Sequence, residues 1–343
     1  MNAGPVFSVV IPTYRRRRSL KRVLEALAAQ EWPPAAMEVV VVSDGADDGS
    51  AHLVRSFPMP FSLRLVEQAN LGPAAARNRG VENARGRFVL FLDDDVIPSA
   101  RLVAEHSRAH GESRDRVVIG TMLEPPGRLL PWVRWEARTL AGQYEAMVTG
   151  LWAPTPWQFY TGNASVRREH LRRAGGFDAR YRRAEDVELG FRLERLGLEF
   201  VFAPEAAGTH IAERPFSSWL ESGYQYGRTD VLFGKAEERA GALFPTRHPL
   251  TRRLVRWGLR YPRSARRLAL PAQAAIRVAD RTGLPRLSHQ LCSAIFNLHY
   301  WLGVADQLGS GREALRLAKL GRPAGLLSRA RTALPIGART GRP

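Results

Sequence analysis

Residues 88–98 read Phe-Val-Leu-Phe-Leu-Asp-Asp-Asp-Val-Ile-Pro, an apolar run that stops at three adjacent carboxylates. Five apolar residues between Arg87 and Asp93 predict a strand covered on both faces, the habit of parallel sheets. Strands of that kind present their C-terminal ends to a ligand crevice in an open α/β sheet. Three neighbouring carboxylates repel one another and raise each other's pKa if nothing relieves them. A divalent cation shared with phosphate oxygens relieves that conflict, and so does plain solvation of an acidic turn. On an extended chain Asp93 and Asp95 are expected to point to the same side.

The surrounding chain supplies the rest of such a sheet. A strand is predicted over 6–12, closed by Pro12-Thr13-Tyr14, then a helix capped by Ser19 with Leu20, Val23, Leu24 and Leu27 on one face. A second strand over 38–43 stops at Asp44-Gly45, a helix runs to about residue 57, and a strand follows at 63–66. Asn70-Leu71-Gly72-Pro73 turns into a helix over 74–84 whose first turns carry Arg77 and Asn78. Strands alternating with helices predict βαβ units and a parallel sheet. Three strand ends then bring Thr13 and Tyr14, Asp44, and the 93–95 carboxylates to one edge, which points to a nucleotide crevice. Gly72 and the helix start behind it favour anions, and Arg77 offers either a fork of donors for phosphate or an ordinary surface charge.

Beyond a strand at 117–122, residues 125–156 are aromatic and proline-rich with no readable order, a candidate cover for the crevice. A strand is predicted over 158–167 around Gly162-Asn163, and Gly175-Gly176 end a short helix. Glu185-Asp186 open a helix with Leu189, Leu193 and Leu196 inward; by position alone, carboxylates in a first turn are capping chemistry. A strand over 199–203 precedes His210.

Charge is unevenly placed along the 343 residues. Residues 245–343 hold 19 Lys/Arg against 3 Asp/Glu, leaving 32 against 30 before them, so most of the net +18 lies in the last third. Within 251–267, Leu254, Trp257 and Tyr261 share a helical face flanked by Arg252, Arg253, Arg256 and Arg260. An anionic membrane surface is the preferred partner of that pattern, ahead of a solvated arginine face and of nucleic acid. Residues 287–302 follow helical spacing and are expected to pack on the body of the protein, since polar residues interrupt them. The single cysteine, Cys292, excludes an internal disulfide and reads as a packed thiol in a reducing compartment. With no signal-like N-terminus and no apolar run of about 18 residues, a cytoplasmic location is expected, peripheral to the inner face of the cell membrane if the basic region docks there. The Gly/Pro/Arg-rich stretch after Gly321 is expected to fray.

Six blocks together resemble the family 2 glycosyltransferases: Ser-Val-Val-Ile-Pro-Thr-Tyr from Ser8, Ser-Asp-Gly-Ala-Asp-Asp-Gly-Ser from Ser43, Asn-Leu-Gly-Pro-Ala-Ala-Ala-Arg-Asn from Asn70, Asp93-Asp94-Asp95, Gly162-Asn163-Ala164-Ser165, and Gly176-Phe177-Asp178 followed by Glu185-Asp186. They run in the family's order over about residues 6–212. The more usual Asp-Asp-Gly-Ser departs here to Ser43-Asp44-Gly45-Ala46-Asp47. The resemblance implies a GT-A fold, a Rossmann-like mixed, mostly parallel sheet flanked by helices, over residues 1–240, with a basic helical extension over 241–343. It implies metal-dependent, inverting transfer of a sugar from a nucleotide diphosphate, foremost a UDP-sugar, to an acceptor hydroxyl in cell-surface, polysaccharide or glycolipid synthesis. The acceptor would be a glycan, a lipid-linked sugar or a small molecule.

Role by role, the resemblance assigns Pro12, Thr13, Tyr14 and Asp44 to the base and ribose pocket, with Asp44 accepting a uracil imide N–H. Arg77 would hold the nucleotide near its diphosphate. Asp95 would bind Mn²⁺ or Mg²⁺, with Asp93 or Asp94 on the ribose or a metal water, and His210 would complete the metal shell. Asp186 matches the catalytic base, and Glu185 and Asn163 the acceptor side. Rival readings are a retaining GT-A enzyme and a non-catalytic nucleotide-sugar or glycan-binding protein. A sugar-1-phosphate nucleotidyltransferase is disfavoured, because Pro12-Thr13-Tyr14-Arg15 lacks that class's glycine-rich loop.

Overall fold

The computed structural model describes residues 4–236, without 46, 114 and 182, and 248–320. The first apolar runs become β1 (Phe7–Thr13), β2 (Met37–Asp44), β3 (Ser62–Gln68) and β4 (Phe88–Leu92). Between them lie α1 (Arg17–Ala28), α2 (Ser50–Ser56) and α3 (Pro73–Asn83). Next come β5 (Val96–Pro98), α4 (Leu102–His110), β6 (Arg116–Leu123), α5 (Pro131–Val148), β7 (Asn163–Arg167), α6 (Arg168–Arg173), α7 (Glu185–Arg195) and β8 (Glu199–His210).

The strands form one eight-stranded sheet in the order β3-β2-β1-β4-β7-β6-β8-β5. β3, β2, β1 and β4 run parallel, β7 is antiparallel to β4 and β6, and β8 is parallel to β6. The chain winds outward from β1 to β3, then returns to lay β4 on the other side of β1. That reversal is a topological switch point, and it leaves an opening beyond the C-terminal ends of β1 and β4.

Period-two alternation explains why the runs are apolar throughout. Val9, Ile11, Val39, Val41, Leu90 and Leu92 join one core with Leu20, Val23, Leu24 and Leu27 of α1. Val10, Val40, Val42, Val89 and Phe91 join the opposite core with Ala76 and Val81 of α3 and Leu189 and Leu193 of α7. Each such fully buried side chain contributes about 1.5–3 kcal/mol relative to exposure. A Cβ on Gly80 would overlap Val10, so that glycine sets how closely α3 lies on β1.

Several boundaries differ from those predicted. α1 begins at Arg17, with Arg16 at its N-cap and Ser19 inside the first turn. The passage at 125–156 is mostly ordered as α5, which buries Trp132, Val133, Tyr144 and Met147. β7 starts only at Asn163, because Thr155 and Gln158 form a capping box over a 3₁₀ turn at Pro156–Gln158. β8 runs on past Pro204 to His210, accommodated by a register shift between Gly120 and Thr121 of β6.

The chain divides into Met1–Glu213 and Arg214–Pro343, earlier than the expected boundary at 240. The reason is α8 (Phe216–Ala236), which packs lengthwise on α12 (Pro285–Leu308) in the second unit. α9 (Pro249–Arg260), α10 (Pro262–Arg266), α11 (Ala269–Arg281) and α13 (Gly311–Leu320) complete that unit. Its core holds Val231, Val255, Leu259, Tyr300, Trp301 and Val304. Gly227 and Gly303 let the α8 and α12 backbones approach closely, since a Cβ on either would overlap a carbonyl of the other helix. Cys292 is a buried thiol. No helix among the described residues is long and apolar enough to cross a membrane. The fraying expected after Gly321 falls outside the described residues.

Candidate active site

The three carboxylates at the end of β4 are not on an extended chain. The Asp93 carbonyl accepts the Val96 N–H at 3.1 Å, and this turn separates Asp93 from its neighbours. Asp93 and Asp95 therefore diverge, contrary to expectation. Asp94 turns toward β1: the Thr13 hydroxyl donates to its Oδ2 at 2.7 Å, and Arg16 reaches its Oδ1 at 3.2 Å. The same guanidinium donates to Asp95, whose other oxygen faces His210 Nε2 at 3.5 Å. Burial pushes the Asp94 carboxyl up to about 7 against the pull of Arg16. Burial acts on Asp95 too, but His210 and Arg16 outweigh it and hold that carboxyl below the usual range. Asp93 keeps its place because Gly162 carries no side chain; a Cβ there would meet Asp93 Oδ2 at 3.1 Å and Met122 Sδ at 2.7 Å.

Asp93 belongs instead with the start of α7. Arg77, on α3 and only 6% exposed, donates from Nη2 to Asp93 at 2.8 Å and from Nη1 to Glu185 at 2.8 Å. Glu185 lies 108 positions from Arg77 in the sequence, and Asp93 only 16. Its Nε has no hydrogen-bond partner. Arg77 thus links two carboxylates rather than standing open to a diphosphate, which corrects its expected placement. Ala184, at φ +57°, sits in the left-handed region and turns the chain so that Glu185 and Asp186 head the helix. Asp186 is half-buried; it accepts the Val187 N–H at 2.8 Å and the Thr161 N–H at 3.4 Å. Burial and then the charge of Glu185 raise its carboxyl to about 7, opposed by Arg77. Asn78 clamps the preceding loop by reciprocal bonds with the Phe177 backbone at 2.8 and 2.7 Å.

At the edge of β2, Asp44 accepts the N–H groups of Leu71 and Gly72, each at 2.9 Å, and Gln68 Nε2 at 2.7 Å. A carboxylate has about four acceptor positions, so these three bonds leave one unfilled. Gly45, at φ +77°, lies so close to the Asn70 amide that a Cβ would stand 2.6 Å from it. Pro12 is half-buried in β1 opposite Val42, Thr13 is buried, and Tyr14 is exposed with Arg15 over its ring at 5.1 Å. Asn163 does not face the crevice. Its amide donates to the Thr121 and Ala206 carbonyls at 3.0 and 2.8 Å and meets His106 Nε2 at 2.8 Å, inside the core. A residue 1% exposed and bonded on every side cannot touch an acceptor; it fixes β7 beneath Gly162.

Two features escaped the sequence reading. Arg16 was visible only as one of four arginines, and Arg15 at φ +55° selects which of them turns onto Asp94 and Asp95. Ala184 carried no signal at all. Among the described residues, these are the non-glycine positions with positive φ, and both flank the site. Beside Asp95, residues 15–18 line a cleft of about 510 Å³ with Asp48 and Ile211.

The described residues contain no cluster of three His, Cys, Asp or Glu side chains spaced to hold a metal ion. They do contain Asp95 and His210 side by side. One carboxylate and one imidazole suit Mn²⁺ or Mg²⁺ when phosphate oxygens and water fill the remaining positions, so the donor set fits a shared cation.

The sheet and its switch-point crevice define a GT-A fold. Over 97% of this chain and 77% of the other, the structure superposes on mannosyltransferase PcManGT from Pyrobaculum calidifontis, solved with GDP-Man and Mn²⁺ (TM-score 0.57, 20% identity). It also superposes on residues 1–349 of S. aureus TarS, solved with UDP (TM-score 0.52, 18% identity, 89% of this chain and 92% of that one). In sequence the chain is similar to validoxylamine A glucosyltransferase of Streptomyces hygroscopicus subsp. limoneus, 32% identical over 60% of this chain and 51% of that protein. Glycosyltransferase AglE of Haloferax volcanii is 26% identical over 66% of this chain and 73% of that protein. The chain thus spans about half the length of the validoxylamine relative. Residues 8–175 match the family model for glycosyl transferase family 2, so that stretch of the chain is a domain of that family.

Proposed function

We propose that the protein transfers a sugar from a nucleotide diphosphate to an acceptor hydroxyl, inverting the anomeric centre, with Asp186 as the base. One observation carries this reading: Arg77 ties Asp93, at the donor-side turn, to Glu185, the neighbour of Asp186. The two halves a transferase needs are thereby held together by one side chain that reaches a carboxylate 108 positions away. The acceptor oxygen attacks the anomeric carbon as its proton passes to the Asp186 carboxylate, and the bond from that carbon to the diphosphate breaks. A base with a pKa near neutrality is suited to that proton. Thr13, Tyr14 and the remaining acceptor position of Asp44 face the nucleoside, with uracil as the preferred base. Glu185 borders the acceptor, and Asp93 the ribose and sugar. Asp95 and His210 would hold Mn²⁺ or Mg²⁺, which when bound supplies positive charge to the leaving diphosphate. The fold shared with proteins solved with UDP or with GDP-Man and Mn²⁺ supports the donor class.

The test is release of nucleoside diphosphate from a panel of UDP- and GDP-sugars with Mn²⁺ and simple sugar acceptors, with NMR of the product. Turnover of a sugar nucleotide with an inverted anomeric centre is expected. Retention of configuration, or donor binding with no turnover across the panel, would exclude the mechanism.

A further inference from the structure

We infer that the second unit carries a docking surface for anionic lipid bilayers, centred on α9. Inside its own unit α9 buries Thr251, Val255, Gly258 and Leu259. The opposite face exposes Arg252, Arg253, Arg256, Trp257 and Arg260, continued by Tyr261. These positions recur at i, i+4 and i+8 in two adjacent rows, so they make one strip. Trp257 and Tyr261 stand with ring centroids 6.2 Å apart. The aromatics therefore share the outward face with the arginines, whereas Leu254 is half-buried and lies off that face.

The strip is part of a wider pattern. Of the thirteen exposed large hydrophobic residues among the described residues, seven lie between 250 and 287. Leu270 at 78%, Leu250 at 64% and Val278 at 59% are the most exposed of them. The same segment carries ten arginines and one carboxylate, Asp280. A segment exposed only to water has no use for that many open aliphatic side chains. Single-stranded nucleic acid would use the arginines and the two rings, but Leu and Val offer no stacking plane to a base. A bilayer interface uses all three kinds: aliphatic groups enter the acyl boundary, Trp and Tyr sit at headgroup depth, and arginines meet anionic headgroups. No helix among the described residues is long and apolar enough to span, so the proposed surface lies on the membrane rather than crossing it.

Co-sedimentation of the full chain with vesicles of phosphatidylcholine, alone or with about one third phosphatidylglycerol, tests this. At about 0.1 M salt, partitioning onto the anionic vesicles should exceed that onto neutral ones about tenfold or more. Two variants divide the contributions: Trp257→Ala with Tyr261→Ala, and Gln at positions 252, 253, 256 and 260 together. Each should lower anionic partitioning about tenfold at an unchanged melting temperature, and salt should weaken the aromatic variant more steeply than the arginine one. No partitioning of the wild type, or partitioning that both variants retain, overturns the inference. So does an arginine variant that loses binding of an RNA oligonucleotide while its vesicle partitioning stays at the wild-type level.

Discussion

A carboxylate that must take a proton from a sugar hydroxyl works best when its pKa lies near the working pH. In the proposed mechanism that carboxylate is Asp186, whose carboxyl burial and the charge of Glu185 raise to about 7. A raised pKa keeps the group protonated, and so idle, at acid pH; kcat/KM should climb as pH rises through about 7. Glu185→Gln removes the like charge that raises Asp186, so the acid limb of the pH–rate profile should move to lower pH. A limb that stays in place would separate the two residues. Asp44→Ala leaves the Leu71 and Gly72 amides without their acceptor, at a cost of about 1–3 kcal/mol in urea unfolding, and calorimetry should show weaker donor binding.

Between elements, α3 and α7 are joined to the end of β4 through one guanidinium. Arg77→Met leaves Glu185 and Asp93 facing each other without their shared cation, and breaking such a pair costs roughly 3–5 kcal/mol where it is buried. The denaturant midpoint should fall with an unchanged slope. Ala184→Gly should do the opposite. It removes the left-handed strain at φ +57° and should stabilise by about 1 kcal/mol in thermal unfolding. The sequence was most legible where elements are simplest. β1, β2 and β4 are buried on both faces, and such strands announce themselves as continuous apolar runs. α5 was unreadable because proline and aromatic residues hide its period, and β8 was cut short at Pro204, where a bulge lets the strand continue. Carboxylates could be placed near one edge from sequence, but not aimed. The turn at Asp93, the left-handed residues at 15 and 184 and the burial of Asn163 are tertiary facts, decided by contacts between segments far apart.

At the scale of the molecule, the charge asymmetry coincides with the two units. A nearly neutral α/β unit carries the acidic site, and the basic unit built around α12 carries the arginine and aromatic surface. The division lets the catalytic and docking claims be tested separately, since the variants on α9 lie outside the unit that holds Asp93, Asp95 and Asp186. In the proposed function the carboxylates of the first unit form one site with divided labour, Asp95 for donor and cation and Asp186 for the proton. The most direct measurement compares donor binding by calorimetry, with and without Mn²⁺, and turnover in Asp186→Asn. Donor affinity should stay within a few-fold of wild type while turnover falls by about 10²–10⁴-fold. Near-normal turnover in Asp186→Asn would contradict that division of labour.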